Sequence, residues 1–251
     1  MTTRPFAVFC RFLSETDFSE FPSSVVAHAR QVLLDTLGVI VAGSAVPEVN
    51  QFASRLPASC RKDEGVTCPG RSGSFEPLVA ALLNGVGGSS LEFEEGNSRA
   101  MGHPAIQLVP ALIAEAEAGG LSGGDLLRGL VLGYETASRV SRASSMRKGL
   151  HPTGTWGVVG SALGVGCARR RTGEALELFP VEPLGVVEHA AAIDHRDRPV
   201  LGHQDLVAAQ VPVRPAGDHQ VQVFLAPPQT PDQGAETGHH PGGRHAAGRE
   251  R

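Results

Sequence analysis

SVVAHARQVLLDTLGVIVAG, residues 24–43, decides the fold class. Val25, Val26, Ala29, Val32, Leu33, Leu37 and Ile40 recur every three to four positions, the spacing that lines apolar side chains along one side of an α-helix. Phe21-Pro22-Ser23 puts a proline near the first helical position, and Gly43 is a natural stop. The stretch predicts a long core helix. Two polar side chains interrupt it. His28, beside Arg30 and Gln31, is expected to face solvent. Asp35, amid Leu33, Leu34 and Leu37, is expected to be a partly buried carboxylate that needs a structural ion-pair partner.

Working outward, the same period returns again and again. Phe6, Phe9, Phe12 and Leu13 share one face of a short amphipathic helix ahead of the long one. Pro47 to Leu56 predicts another helix, residues 60–73 a loop rich in charge and glycine, and FEPLVAALL (75–83) a helix ending at Asn84-Gly85. PAIQLVPALIAEAEA (104–118) starts on proline and closes at Gly119-Gly120. Ser122 and Asp125 have the spacing of a capping box that opens DLLRGLVLGYETASRVSRA (125–143), where Glu135 and Arg139 stand four apart and can pair. Residues 149–155 form a turn feeding TWGVVGSALGVGCARRR (155–171). Glycine costs helix propensity, so Gly157, Gly160, Gly164 and Gly166 are expected to serve close helix packing. With no hairpin pattern and no alternation of strands and helices, residues 1–171 read as an all-α helical bundle.

After Arg171 the composition changes. Residues 172–251 hold seven of the ten histidines and nine of the eighteen prolines, and their apolar runs keep no helical period. This part is expected to be a divergent, largely disordered tail. Its His-rich end, GHHPGGRHAAGRE (238–250), lacks the carboxylate or cysteine spacing of a metal site.

The 251 residues are 41% hydrophobic, ample for a core, and a net charge of −4 with a pI near 6.2 gives no basic field for nucleic acid or anionic lipid. Cys10, Cys60, Cys68 and Cys167 are scattered without metal-ligand spacing. Reduced thiols, the absence of a signal-peptide pattern and the absence of a window of ~20 apolar residues predict a cytoplasmic protein with no membrane partner.

One stretch stands apart for its chemistry. NGVGGSSLEFEEGNSRAMGHP (84–104) gathers Glu92, Glu94, Glu95 and the His103-Pro104 pair between glycines that let the chain turn sharply. Acid, base and tight turn together suggest a site. A second histidine, His151, lies in the turn GLHPTG (149–154), just after Arg147 and Lys148.

Taken with VLLDTLGVIVAG (32–43), AALLNG (80–85), LEFEE (91–95), HPAIQLVPALIAEAE (103–117), LSGGDLLRGLVLGYETASRV (121–140) and GLHPTGTWGVVGSALGVG (149–166), the chain resembles the MmgE/PrpD family. That group contains 2-methylcitrate dehydratase, cis-aconitate decarboxylase and iminodisuccinate epimerase. The resemblance covers the N-terminal two-thirds and implies a helical main domain, a homodimer, no metal or organic cofactor, and a small di- or tricarboxylate substrate. By position it carries catalytic roles to Glu92, His103 and His151. Histidine titrates near neutrality and can move a proton to or from carbon beside a carboxyl group, while Glu92 would orient an imidazole. Lys148, with Arg147, would contact the substrate's negative charge.

The sequence also departs from the family pattern. Ser89 stands where the family commonly has histidine, and glutamates replace its aspartates. Nothing after Arg171 resembles its lysine-bearing substrate site or its lid. The expectation is therefore a lyase or epimerase site present in half, or a catalytically silent helical fragment that partners a full-length paralogue.

Overall fold

The computed structural model describes residues 5–144, 151 and 154–178, together with the backbone of two short strands at 209–211 and 221–223. Its helices, in order, are α1 (Pro5–Glu15), α2 (Ser23–Ser44), α3 (Pro47–Ser54), α4 (Pro77–Ser89), α5 (Pro104–Gly119), α6 (Gly123–Ala143), α7 (Trp156–Ala168) and α8 (Gly173–Glu177). The fold is all-α, as the periodicity predicts.

In α2 the buried positions are Val25, Ala29, Val32, Thr36 and Ile40, a stripe of one per turn. Asp35 falls about 100° off that stripe and is exposed, so the partly buried carboxylate expected there is not found. Thr36 takes the inward position instead, its hydroxyl donating to the Val32 carbonyl at 2.8 Å. His28 is half-buried rather than solvent-facing: its Nε2 is out of water and its Nδ1 lies 3.4 Å from Gln31 Oε1. Among the described residues α2 is the helix long and apolar enough to cross a membrane, although exposed Arg30 and Asp35 sit on its outer side.

The segment expected to be loop contains a small antiparallel sheet, β1 (Arg61–Lys62), β2 (Val66–Thr67) and β3 (Ser74–Phe75), in the order β1-β3-β2. Two-residue strands are too short to carry a period, and hence escape the sequence reading. Glu117 Oε2 fastens the sheet to α5, accepting from the Thr67 N–H at 2.8 Å and its hydroxyl at 2.9 Å. Phe75 belongs to β3, and α4 begins at Pro77 and runs through Asn84-Gly85 to Ser89. The Asn-Gly stop is overridden by packing: a side chain at Gly43 of α2 would strike the Gly87 backbone, and one at Gly88 would strike Ile106 of α5.

Helices α6 and α7 run antiparallel with glycine facing glycine. A Cβ at Gly133 would come within 2.9 Å of the Gly160 carbonyl oxygen and of Gly164 Cα, and one at Gly164 within 2.9 Å of the Gly129 carbonyl oxygen. The predicted packing role of Gly160 and Gly164 is thus met by Gly129 and Gly133 on the facing helix. Helix α5 lies parallel to α7. Ser161 donates to the Gln107 carbonyl at 2.6 Å near their beginnings, and Arg169 pairs with Glu115 near their ends. The main core cluster is shared by α1, α2, α5, α6 and α7 and includes Leu13, Ile40, Leu108, Leu130, Trp156 and Leu163, while a smaller one, with Val66, Phe75 and Leu83, joins the sheet to α4.

Arg128 on α6 is 2% exposed and reaches no carboxylate in that core. It donates instead to the carbonyls of Leu13 (2.9 Å), Ser14 (3.0 Å), Thr16 (2.7 Å) and Cys167. One guanidinium thereby bonds carbonyls at the C-terminal ends of α1 and α7 at once. The Ser122–Asp125 capping box and the Glu135–Arg139 pair both form. Packing also continues past Arg171, because α8 lies on α1 with Gly173 close to the Arg11 backbone. Strands β4 (Ala209–Val211) and β5 (Val221–Val223) form an antiparallel pair, and the remainder of the expected tail lies outside the described residues.

Two outcomes test this packing by urea denaturation. Gly133→Ala should lose about 1–3 kcal/mol through overpacking against backbone, whereas Gly85→Ala, whose Cβ meets nothing within 4 Å, should be neutral or gain up to ~1 kcal/mol. Arg128→Leu should cost at least about 3 kcal/mol, because several buried carbonyls lose a charged donor together.

Candidate active site

The polar residues of α6 mark where the site lies. Tyr134, Ser138 and Ser141 follow one another at helical spacing on the C-terminal half of a helix that is otherwise buried by apolar contacts. Asn97, itself 3% exposed, reaches them: its Nδ2 donates to Ser138 Oγ at 3.2 Å. Its Oδ1 accepts from the N–H groups of Arg99 (2.9 Å) and Ala100 (3.0 Å). The Asn97 and Gly102 backbones pair antiparallel, and Ser141 donates to the Ala100 carbonyl. Residues 97–102 are thus a closed loop pinned to α6, and the next residue is His103.

His103 is the N-cap residue of α5, with φ −121° and ψ 77°, and its side chain does not cap the helix. The imidazole turns back so that Nδ1 lies 2.8 Å from the Glu95 carbonyl oxygen. A carbonyl can only accept, so Nδ1 carries the proton and Nε2 keeps its lone pair. Glu95 Oε1 accepts from the Ala105 N–H at 3.2 Å, supplying the cap that His103 does not. The Glu95 Oε2 atom is buried without a hydrogen-bond partner, and so is Oε2 of the neighbouring Glu94.

Burial pushes the Glu95 carboxyl up from 4.5 to about 8; hydrogen bonds from Tyr134 and from the Ala105 N–H work the other way, and the charges of Asp35 and Glu94 add to the rise. The Tyr134 hydroxyl is raised in turn, first by burial and then by Glu95. At neutral pH Glu95 therefore holds a proton. The three buried thiols are inert by the same physics, Cys68 pushed up to about 11 and Cys10 and Cys167 to about 12, chiefly by desolvation.

Of the residues singled out in the sequence, His103 is half-buried at the start of α5 and His151 is exposed ahead of α7. Because α5 and α7 are parallel, with Gly157 against Gln107, the start of α7, five residues after His151, lies at the same end of the helical layer as the start of α5, where His103 sits. Glu92 is exposed, in a turn with φ +50°, and the Nδ1 partner of His103 is the Glu95 carbonyl rather than the Glu92 carboxylate. Lys148 and Arg147 lie outside the described residues. Among the described residues no three His, Cys, Asp or Glu side chains group as a metal-ligand set. An apolar groove of about 540 Å³ between α2 and the start of α6, lined by Phe18, Leu33, Leu34, Leu37, Leu126 and Leu127, lies away from the 97–102 loop.

Sequence reasoning passed over Glu95 as a separate actor and missed Asn97, Tyr134, Ser138 and Arg128. A signal for Tyr134 existed. It is the chain's one tyrosine, and with Ser138 and Ser141 it repeats at i, i+4 and i+7 along one face of α6.

Comparison with known proteins bears on the same segments. The chain is 34% identical over 145 residues to the cis-aconitate decarboxylase-like protein oryM of Aspergillus oryzae, an overlap of 55% of this chain and 30% of that protein. It is 24% identical over 185 residues to a cis-aconitate decarboxylase of Aspergillus terreus, covering 68% of this chain and 36% of that protein. The chain thus spans about a third of the length of the curated relatives it matches. The sequence pattern of the MmgE/PrpD N-terminal domain matches residues 7–177, the whole run of helices from α1 to α8, and the chain belongs to the MmgE/PrpD family.

Proposed function

We propose that this chain carries the histidine-bearing helical part of a lyase that acts on a small di- or tricarboxylate, with His103 and His151 moving a proton at carbon beside a carboxylate. The observation that carries this reading is the 2.8 Å bond from His103 Nδ1 to the Glu95 carbonyl, which leaves Nε2 as a lone pair at the end of the helical layer shared with the His151 turn. Two parallel helix N-termini at that end, those of α5 and α7, add partial positive charge that favours an anion. Glu92 and Lys148 join the site by family resemblance, the first to stabilise a charged imidazole and the second to meet a substrate carboxylate. The same resemblance supports a cytoplasmic homodimer.

The chemistry asks for a group that both takes and gives protons. In dehydration the base removes a proton from carbon next to a carboxylate, and an acid protonates the departing hydroxyl. In decarboxylation the carbon–carbon bond breaks, CO2 leaves, and the electron pair left on the substrate must be met by a proton. An imidazole serves either need near neutral pH. Cis-aconitate is the first substrate to try, given the names of the two Aspergillus relatives. A second reading, a catalytically inactive helical fragment or a partner of a full-length paralogue, is favoured by the departures from the family pattern at Ser89 and at the glutamates Glu92, Glu94 and Glu95.

Incubating the purified chain with cis-aconitate, 2-methylcitrate or iminodisuccinate and following product by chromatography separates the two readings. The lyase reading expects turnover of one of them, reduced ~100-fold or more by His103→Ala and by His151→Ala. Turnover indifferent to both substitutions rejects the site, and no turnover of any of the three favours the silent partner.

A further inference from the structure

We propose that Glu95 is the positioning residue for His103, gripping the imidazole through its own main-chain carbonyl and the helix end beneath it through its carboxyl. This deepens the reading above, because it concerns the same histidine, but the geometry behind it is separate. A helix normally takes its first cap from Ser, Thr, Asp or Asn at the N-cap position, where α5 has His103. Position N1 is Pro104, which has no N–H to satisfy, so the first orphan donor is the N–H of Ala105. Glu95 Oε1, ten residues earlier in the chain, accepts it at 3.2 Å. The imidazole is thereby released from capping, and its Nδ1–H goes to the carbonyl of that same Glu95 at 2.8 Å. Residue 103 is held from both sides by one residue.

What holds Glu95 is α6. Tyr134 lies against its carboxyl and Asn97 against Tyr134, and Asn97 is bonded to Ser138. The titratable and charged groups around the carboxyl are Tyr134 from α6, the adjacent Glu94, and His103 with the N-terminus of α5, while Asp35, exposed on α2, acts on it only through its charge. Both Asp35 and Glu94 oppose a charge there, and Oε2 has no partner that would stabilise one. The neutral carboxyl is the form that the packing accepts. Ionising it places a charge in a buried pocket where Tyr134 and the Ala105 N–H offset only part of the lost hydration, and the 95–103 loop relieves the rest by letting water in. His103 then loses its fixed presentation.

The sign of the pH dependence follows. The folded-state value of about 8 stands above the ordinary 4.5, so the stability contributed by protonated Glu95 is full below pH 4.5, falls as pH rises from there to about 8, and is absent above. The test reads the imidazole directly, with no substrate. In the full chain labelled with 15N-histidine, the His103 ring resonances, identified by their loss in His103→Gln, should show the Nδ1–H tautomer and an inflection near pH 8 that reports Glu95. Glu95→Gln keeps an acceptor for the Ala105 N–H and the main-chain carbonyl. It should retain the tautomer, lose the inflection and flatten the decline of Tm between pH 4.5 and 8. Glu95→Ala should mix the tautomers. An inflection that survives in Glu95→Gln, or a wild-type tautomer in a folded Glu95→Ala, overturns the proposal; if Glu95→Ala does not fold, the Gln variant decides alone. A chain inactive on every carboxylate would still give these ring shifts, so the positioning role and the lyase reading fail separately.

Discussion

Backbone touching backbone between α6 and α7 is the constraint on which the molecule depends. Glycines 129, 133, 160 and 164 bring the two helices so close that a single methyl group at any of them would strike a carbonyl or an α-carbon of the other. Glycine in a helix interior costs about 1 kcal/mol relative to alanine, and four of them cost several. That cost is offset only if the closeness gains more in dispersion and excluded water, as the burial of Leu130, Tyr134, Trp156 and Leu163 around the seam indicates. Leu108 and Leu112 of α5 sit over the seam at Gly133 and Gly129. At one end Arg128 ties α7 to α1. The other end is left for polar residues, and the site forms there.

That polar end carries local costs that the core must cover. Two buried carboxylate oxygens there lack partners, and of the non-glycine residues with positive φ among the described residues, Glu92 precedes the Asn97–Gly102 loop and Met101 lies within it. Left-handed backbone at non-glycine residues costs of order 1–2 kcal/mol each and persists where surrounding contacts over-determine it. The contacts here are the Asn97 side chain, the paired backbones of Asn97 and Gly102, and the serine ladder of α6. Their effect is to deliver His103 in one orientation from a segment that has no regular structure of its own.

Much of the helical frame was legible because each long helix buries one stripe, and a stripe of one residue per turn is visible in the sequence. The capping box at Ser122 and the Glu135–Arg139 pair were legible for a similar reason, since both depend on spacing within one element. Misreadings arose where a distant part of the chain decides. Asn84-Gly85 looked like a helix stop but continues α4, whose next turn packs its Gly87 backbone against Gly43 of α2 and its Gly88 against Ile106. Asp35 looked half-buried from its leucine neighbours, yet its angle around α2 turns it outward. The 61–75 sheet is held by Glu117, fifty residues away from Thr67, and no local pattern announces that. At the site, types and rough location were legible: an acidic run, His-Pro and a second histidine. Which glutamate meets His103 was not, because the contact uses a main-chain carbonyl, an atom every residue has.

The protonation of Glu95 also bears on how an acidic stretch could sit beside a polycarboxylate. Two unit charges about 5 Å apart repel by about 3 kcal/mol at an effective dielectric near 20. An ionised Glu95 would therefore oppose each carboxylate of such a ligand and would offset the attraction of two helix N-termini, typically below 1 kcal/mol each at exposed ends. Held neutral by burial, the same side chain contributes geometry without the repulsion: Oε1 still caps α5, and the carbonyl still orients the ring. The helix ends would then meet the proposed ligand with their partial positive charge less opposed. A buried acid costs the fold some stability at high pH, and in return the anion and the imidazole can share one small volume near neutrality.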